Sequence, residues 1–112
     1  MNRGGKEIVA TAWYEPIMVH CNGRSHALID WYAKDHGGAP EEGIELTWGY
    51  HGNGPSCTAY SILREFFGKA AAVEHNRAFL REYVGKLDMK KGFRIDRKAA
   101  ARIISAIGGT NE

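Results

Sequence analysis

The chain has 112 residues, 44% of them hydrophobic and 11% aromatic, with 15 Lys and Arg against 13 Asp and Glu for a formal charge of +2 at pH 7. That length suits one compact domain, residues 1–112, rather than two, and the apolar share excludes a disordered chain. No apolar run approaches the ~18 residues of a membrane span and the first residues hold no apolar leader core, so a cytoplasmic protein with no membrane contact is expected.

Residues 6–14, "KEIVATAWY", alternate Val9, Thr11 and Trp13 with Ile8, Ala10, Ala12 and Tyr14, the period of a strand. Glu15 and Pro16 interrupt it. "IMVHC" and "RSHALI" then flank Asn22-Gly23, a pair that tolerates positive φ and marks a hairpin, so an antiparallel three-strand meander is expected. Residues 30–43 are polar, glycine-rich and acidic, a connection with room for a short helical turn at 31–34, and "IELTW" (44–48) returns to strand alternation.

Beyond the glycine-rich stretch, Ala59, Ile62, Leu63, Phe66 and Phe67 recur at helical spacing, with Pro55 at the first helical position and Gly68 at the stop. A second helix is predicted over about 70–87, with Val73, Leu80, Val84 and Leu87 on its buried stripe. "GFRI" reads as a short extended segment. Asp96 is the N-cap of a last helix whose stripe is Ala100, Ile103, Ile104 and Ile107. The expected fold is α+β: a small antiparallel sheet, the N-terminal meander plus a strand near 44–48, packed against two or three helices.

The stretch from Trp48 to Pro55, "WGYHGNGP", joins the expected strand to the first long helix. The free N–H groups and dipole of a helix start favour an anion, which makes Tyr50, His51, Asn53 and Gly54 candidate ligand contacts. No Lys-Ser or Lys-Thr follows the last glycine, Pro55 removes a donor, and no βαβ unit surrounds the loop, so neither a P-loop nor a dinucleotide fingerprint is present. A tight corner that tucks Trp48 and Tyr50 against the helix is the simpler reading of these residues.

The two cysteines, Cys21 and Cys57, read as buried thiols, and the five histidines show no metal-ligand spacing. Cys57 and Ser56 in a first helical turn, with His51 nearby, are an incomplete nucleophile set. No catalytic residue, metal or cofactor is assigned.

Charge is uneven along the chain. Residues 1–55 carry four basic groups against seven acidic, and residues 56–112 eleven against six. Lys86, Lys90, Lys91, Arg94, Arg97, Lys98 and Arg102 fall within 17 residues, opposed there by Asp88 and Asp96 alone. Arg97 and Lys98 stand in a helical first turn, which disfavours cations, and contact with phosphate is one reason for a chain to keep them there. The acidic stretch Glu41, Glu42 and Glu45 offers the opposite sign. Trp31 and Tyr32, in the variable connection, are the candidate aromatic anchors for a partner.

"LTWGYHGNGPSCTAYSIL" (46–63) resembles the signature of a family of small bacterial and phage proteins of unknown function, in which Trp-Gly-Tyr-x-Gly-Ser-Gly-Pro leads into an alanine- and leucine-rich helix. "IMVHCNGRSHAL" and "FLREYVGKLDMKKGFRI" resemble the family's hairpin and its helix, turn and final strand. Asn53 stands where the family has serine, and the last helix opens "DRKAAAR" where the family tends to be acidic, a change suited to an anionic partner. The resemblance implies an α+β domain of phages and mobile elements, and with it an expectation about function. That expectation is a non-enzymatic binding protein in the bacterial host cytoplasm, inhibiting a host defence complex as anti-CRISPR proteins do. Its partner would be a protein or ribonucleoprotein, with possible nucleic acid contact through Lys90, Lys91, Arg94, Arg97, Lys98 and Arg102. The alternative is a small-ligand or nucleotide site at the glycine loop.

Overall fold

The computed structural model describes residues 5–12, 15–38 and 46–109, with side chains to residue 106. In chain order the elements are β1 (Lys6–Ala10), β2 (Met18–Cys21), β3 (Arg24–Ala27), α1 (Trp31–Asp35), α2 (Asn53–Phe67), α3 (Lys69–Glu82), a 3-10 turn (Val84–Lys86), β4 (Phe93–Asp96) and α4 (Arg97–Gly109). The expected α+β class with an antiparallel sheet holds. The sheet order is β3-β2-β1-β4, with every neighbouring pair antiparallel.

The meander forms as its turn signal dictates: Asn22 at φ 56° and Gly23 at φ 80° close the hairpin between β2 and β3. Its fourth neighbour differs from the expectation. Residues 46–48 carry no strand pairing, and 44 and 45 lie outside the described residues; the free edge of β1 is instead taken by Phe93–Asp96, with Ile8 opposite Ile95 and Ala10 opposite Phe93. The alternation of "FRID" explains why, since it sends Phe93 and Ile95 to the core and Arg94 and Asp96 outward. β1 is also shorter than its pattern suggests, ending at Ala10, and Trp13 and Tyr14 lie outside the described residues.

One apolar core unites the sheet face, Ile8, Ala10, Val19, Phe93 and Ile95, with Ala59, Tyr60, Ile62, Leu63 and Phe66 of α2 and Phe79 of α3. α2 and α3 form a helical hairpin broken at Gly68, as expected, but α2 begins at Asn53, so Pro55 is its third residue rather than its first. α3 stops at Glu82, and Val84–Lys86 continues as a 3-10 turn. Its buried face also differs: Ala72 and Phe79 are inside, while Val73 is 58% exposed. Of the expected stripe, Val84 is fully buried and Leu80 and Leu87 pack partly buried against the core, so Val73 alone turns outward. Asp96 caps α4 as expected, its Oδ1 accepting the Ala99 N–H at 2.8 Å. Ile103 and Ile104 are half-buried, and the Ile107 side chain lies outside the described residues.

Candidate binding surface

The glycine-rich loop is a corner fastened to residues 84–92. Trp48 is 2% exposed, and its Nε1 donates to the carbonyls of Lys91 (2.8 Å) and Asp88 (3.2 Å) while its ring meets Phe93 edge to face, centroids 5.2 Å apart. The Gly49 N–H donates to the Val84 carbonyl at 3.0 Å. Gly49 holds φ +94°, and a Cβ there would stand 2.6 Å from both the Cβ and the N of Met89, so the position admits glycine on two separate grounds. The His51 ring lies over Gly85, where an added Cβ would fall 2.4 Å away. Tyr50 lies over Gly52 and shares a 3.0 Å hydrogen bond with Thr47 through their hydroxyls. Asn53 opens α2 exposed and Gly54 is buried beneath it. The N-cap is Gly52, which supplies no side-chain bond, and Pro55 subtracts one of the first-turn donors.

On the outer side of this corner lies an open, largely apolar groove of about 330 Å³, lined among the described residues by Thr47, Trp48, Tyr50, Met89 and Lys90. Tyr50 and Met89 are 42% and 45% exposed. Thr47 and Met89 escape sequence reasoning, because only the fold brings 47–50 and 89–90 together; the one local sign is the glycine density that lets two backbones approach. Lys90 therefore belongs both to the groove and to the basic segment. The Asp88 carboxylate accepts the Lys90 backbone N–H at 2.9 Å, bending the loop on itself.

The remaining cations divide into two sets. Lys86 pairs with Glu82 at 3.4 Å, Arg94 on the outer face of β4 approaches Glu7 at 3.5 Å, and Arg97 donates to the Phe66 carbonyl at 3.2 Å with its guanidinium 4.9 Å from the Phe67 ring centre. Lys90, Lys91, Lys98 and Arg102 are exposed and have no carboxylate partner among the described residues. Lys98 and Arg102 are one turn apart on α4. Glu41, Glu42 and Glu45 lie outside the described residues.

α1 docks on α2 through the residues expected to anchor a partner. The Trp31 N–H donates to Ser61 Oγ at 2.9 Å, its indole N–H to Glu65 Oε1 at 2.9 Å, and the Arg64 guanidinium sits 4.2 Å above its ring. Tyr32 is 45% exposed and stacks on His36, centroids 4.0 Å apart. Beneath them Asp35, its side chain 8% exposed, accepts from Tyr60 Oη at 2.7 Å and Arg64 Nε at 2.9 Å. Burial pushes the Asp35 carboxyl up, but the Arg64 and Tyr60 hydrogen bonds and the Arg64 charge outweigh it and hold the group below the ordinary carboxylate range. Burial, then the Asp35 hydrogen bond, raises Tyr60 to about 12. Glu65 behaves like Asp35: burial raises it, and bonds from Trp31 and Lys6 bring it lower overall. Tyr60 and Arg64 share a helix face in the sequence, but nothing local announces Asp35 as their partner.

Cys57 is buried, and desolvation with the Asp30 charge pushes its thiol up to about 11, which keeps it protonated and unreactive at neutral pH. Cys21 is half-buried. Among the described residues no three His, Cys, Asp or Glu side chains converge as a metal site, and no helix is long and apolar enough to cross a membrane.

These elements define a small α+β domain whose surface presents a groove at Tyr50 and Met89, with the exposed Lys90 in its lining and Lys91 next in the chain. The chain belongs to DUF6166, a family of unknown function, whose model matches residues 6–106. No curated protein and no solved structure matches it.

Proposed function

We propose that the protein acts by binding, as an inhibitor of a bacterial defence complex carried by a phage or mobile element, and that it engages a protein or ribonucleoprotein partner through its basic segment. The observation that carries this reading is the set Lys90, Lys91, Lys98 and Arg102, exposed and without carboxylate partners among the described residues. Exposed like charges repel one another and contribute little to folding, whereas an anionic partner relieves that repulsion and speeds encounter. The phage and defence setting rests on the resemblance of residues 48–55 to the signature of small phage and bacterial proteins. The raised Cys57 thiol supports a binding role over nucleophilic chemistry.

The test is a plasmid-interference assay in bacteria bearing a CRISPR system, with parallel affinity capture of the tagged protein with and without nuclease. Lys98→Glu with Arg102→Glu is the informative variant, because Arg97 also holds the Phe66 carbonyl and its reversal would disturb packing. Wild type restores transformation and captures the complex, the double reversal abolishes both, and His51→Ala leaves them intact. A protein that restores nothing and captures no complex overturns the reading. Activity lost with His51→Ala and retained by the double reversal would move the function to the glycine loop.

A further inference from the structure

We infer that the groove beside Trp48 seats one unpaired base of a single-stranded nucleic acid whose phosphates run onto the adjoining lysines; this rests on the basic segment being the contact surface and names the chemistry of its partner. Four observations converge on it. The exposed lining is the kind on which a base stacks: the Tyr50 ring, 42% exposed and backed by Gly52, and the Met89 thioether, 45% exposed, over a floor at the buried Trp48. Its volume of about 330 Å³ lies at the lower end of the range of small-molecule clefts, roughly 300–1,000 Å³, which fits a single ring system and not a helix or strand.

Among the described lining residues the only charge is that of Lys90. Lys90 is part of the wall, Lys91 follows it, and the nearby Asp88 carboxylate is turned onto the Lys90 backbone N–H at 2.9 Å. No carboxylate is among the described lining residues. The floor is set in advance, with Trp48 held by two carbonyls and Gly49 by the Val84 carbonyl, so little ordering opposes binding. A base inside a duplex has both faces stacked and cannot enter.

The experiment measures fluorescence anisotropy of fluorescein-labelled dodecamers of uridine and of deoxythymidine, and of a 12-base-pair DNA duplex, against the wild-type chain and its variants over a salt series. The expected result is tighter binding of a single strand than of the duplex. Tyr50→Ala then weakens the single strand by roughly 5- to 150-fold, the range for loss of one stacked base, with an unchanged salt slope. Tyr50→Phe retains binding, and Lys90→Glu with Lys91→Glu flattens the salt slope. The uridine and deoxythymidine arms distinguish RNA from DNA. Circular dichroism verifies that each variant is folded, which the exposure of Tyr50 leads us to expect.

Duplex bound as tightly as single strand, or Tyr50→Ala without effect, overturns the groove as a base site while leaving the basic segment as the contact surface. No binding of any of the three probes also overturns it, and a nuclease-resistant complex captured in the interference strain would then show that the partner is a protein.

Discussion

Replacing Gly49 with alanine tests whether the glycine-rich loop is fixed by its contact with residues 84–92. Two separate penalties arise. At φ +94° an L side chain costs ~1–2 kcal/mol. The new Cβ would also lie 2.6 Å from the Met89 Cβ and N and 2.8 Å from the Leu87 carbonyl oxygen. Two of those three atoms are backbone, so relief requires one chain segment to lift from the other, at the ~1–3 kcal/mol typical of overpacking. The sum, ~2–5 kcal/mol, is a large part of the ~5–15 kcal/mol that holds an ordinary domain folded. Gly23→Ala is the control, since Gly23 has φ +80° but nothing within 4 Å of an added Cβ. Urea unfolding followed by tryptophan fluorescence should show Gly49→Ala losing at least ~1 kcal/mol more than Gly23→Ala, with the slope unchanged. Equal losses would refute the reasoning, because the loop would then be moving off Met89 freely.

Four further outcomes are expected. Gly92→Ala places a Cβ 1.9 Å from the Ala10 carbonyl oxygen, so β4 separates from β1 and the thermal midpoint falls by at least ~10 °C, read by circular dichroism. Trp48→Phe keeps a ring but removes the donor to the Lys91 and Asp88 carbonyls, for a loss of ~1–3 kcal/mol in urea unfolding. Asp35 and Glu65 are both held lower in the folded chain than in the unfolded one, so the stability they contribute is complete above the unfolded carboxylate range, about pH 4, and is lost as pH falls through their folded values. Asp35→Asn should flatten that acid limb in unfolding curves taken between pH 7 and acid; an unchanged limb refutes the assignment. With a thiol reagent at pH 8, the half-buried Cys21 should react in the native state and Cys57 only on unfolding, as counted by mass spectrometry.

Much of the fold was legible in short-range pattern. The Asn22-Gly23 turn, the helical spacing of 59–67 and the Asp96 cap each depend on neighbours a few residues away, and each appears where the pattern puts it, while the strand read over 6–14 starts at Lys6 and ends early at Ala10. The basic run 86–102 is likewise a fact of the sequence, whatever surrounds it. Which strand completes the sheet was not local. Both 44–48 and 93–96 alternate, and the choice went to the segment that sends Phe93 and Ile95 inward against Ala10 and Ile8.

The surface divides in the same way. Sequence alone determined that glycines crowd one loop and lysines another. Only the tertiary structure set Gly49 on Met89, Trp48 under the Lys91 carbonyl and Lys90 beside Tyr50, because contacts between residues some 40 positions apart are selected by the packing of the whole core. For the same reason the half-buried Trp31 is tied to Ser61, Glu65 and Arg64, partners some 30 positions away that no local pattern announces. Periodicity reports which face of an element is apolar, and the identity of its partner is left to the lowest free energy of the assembled chain.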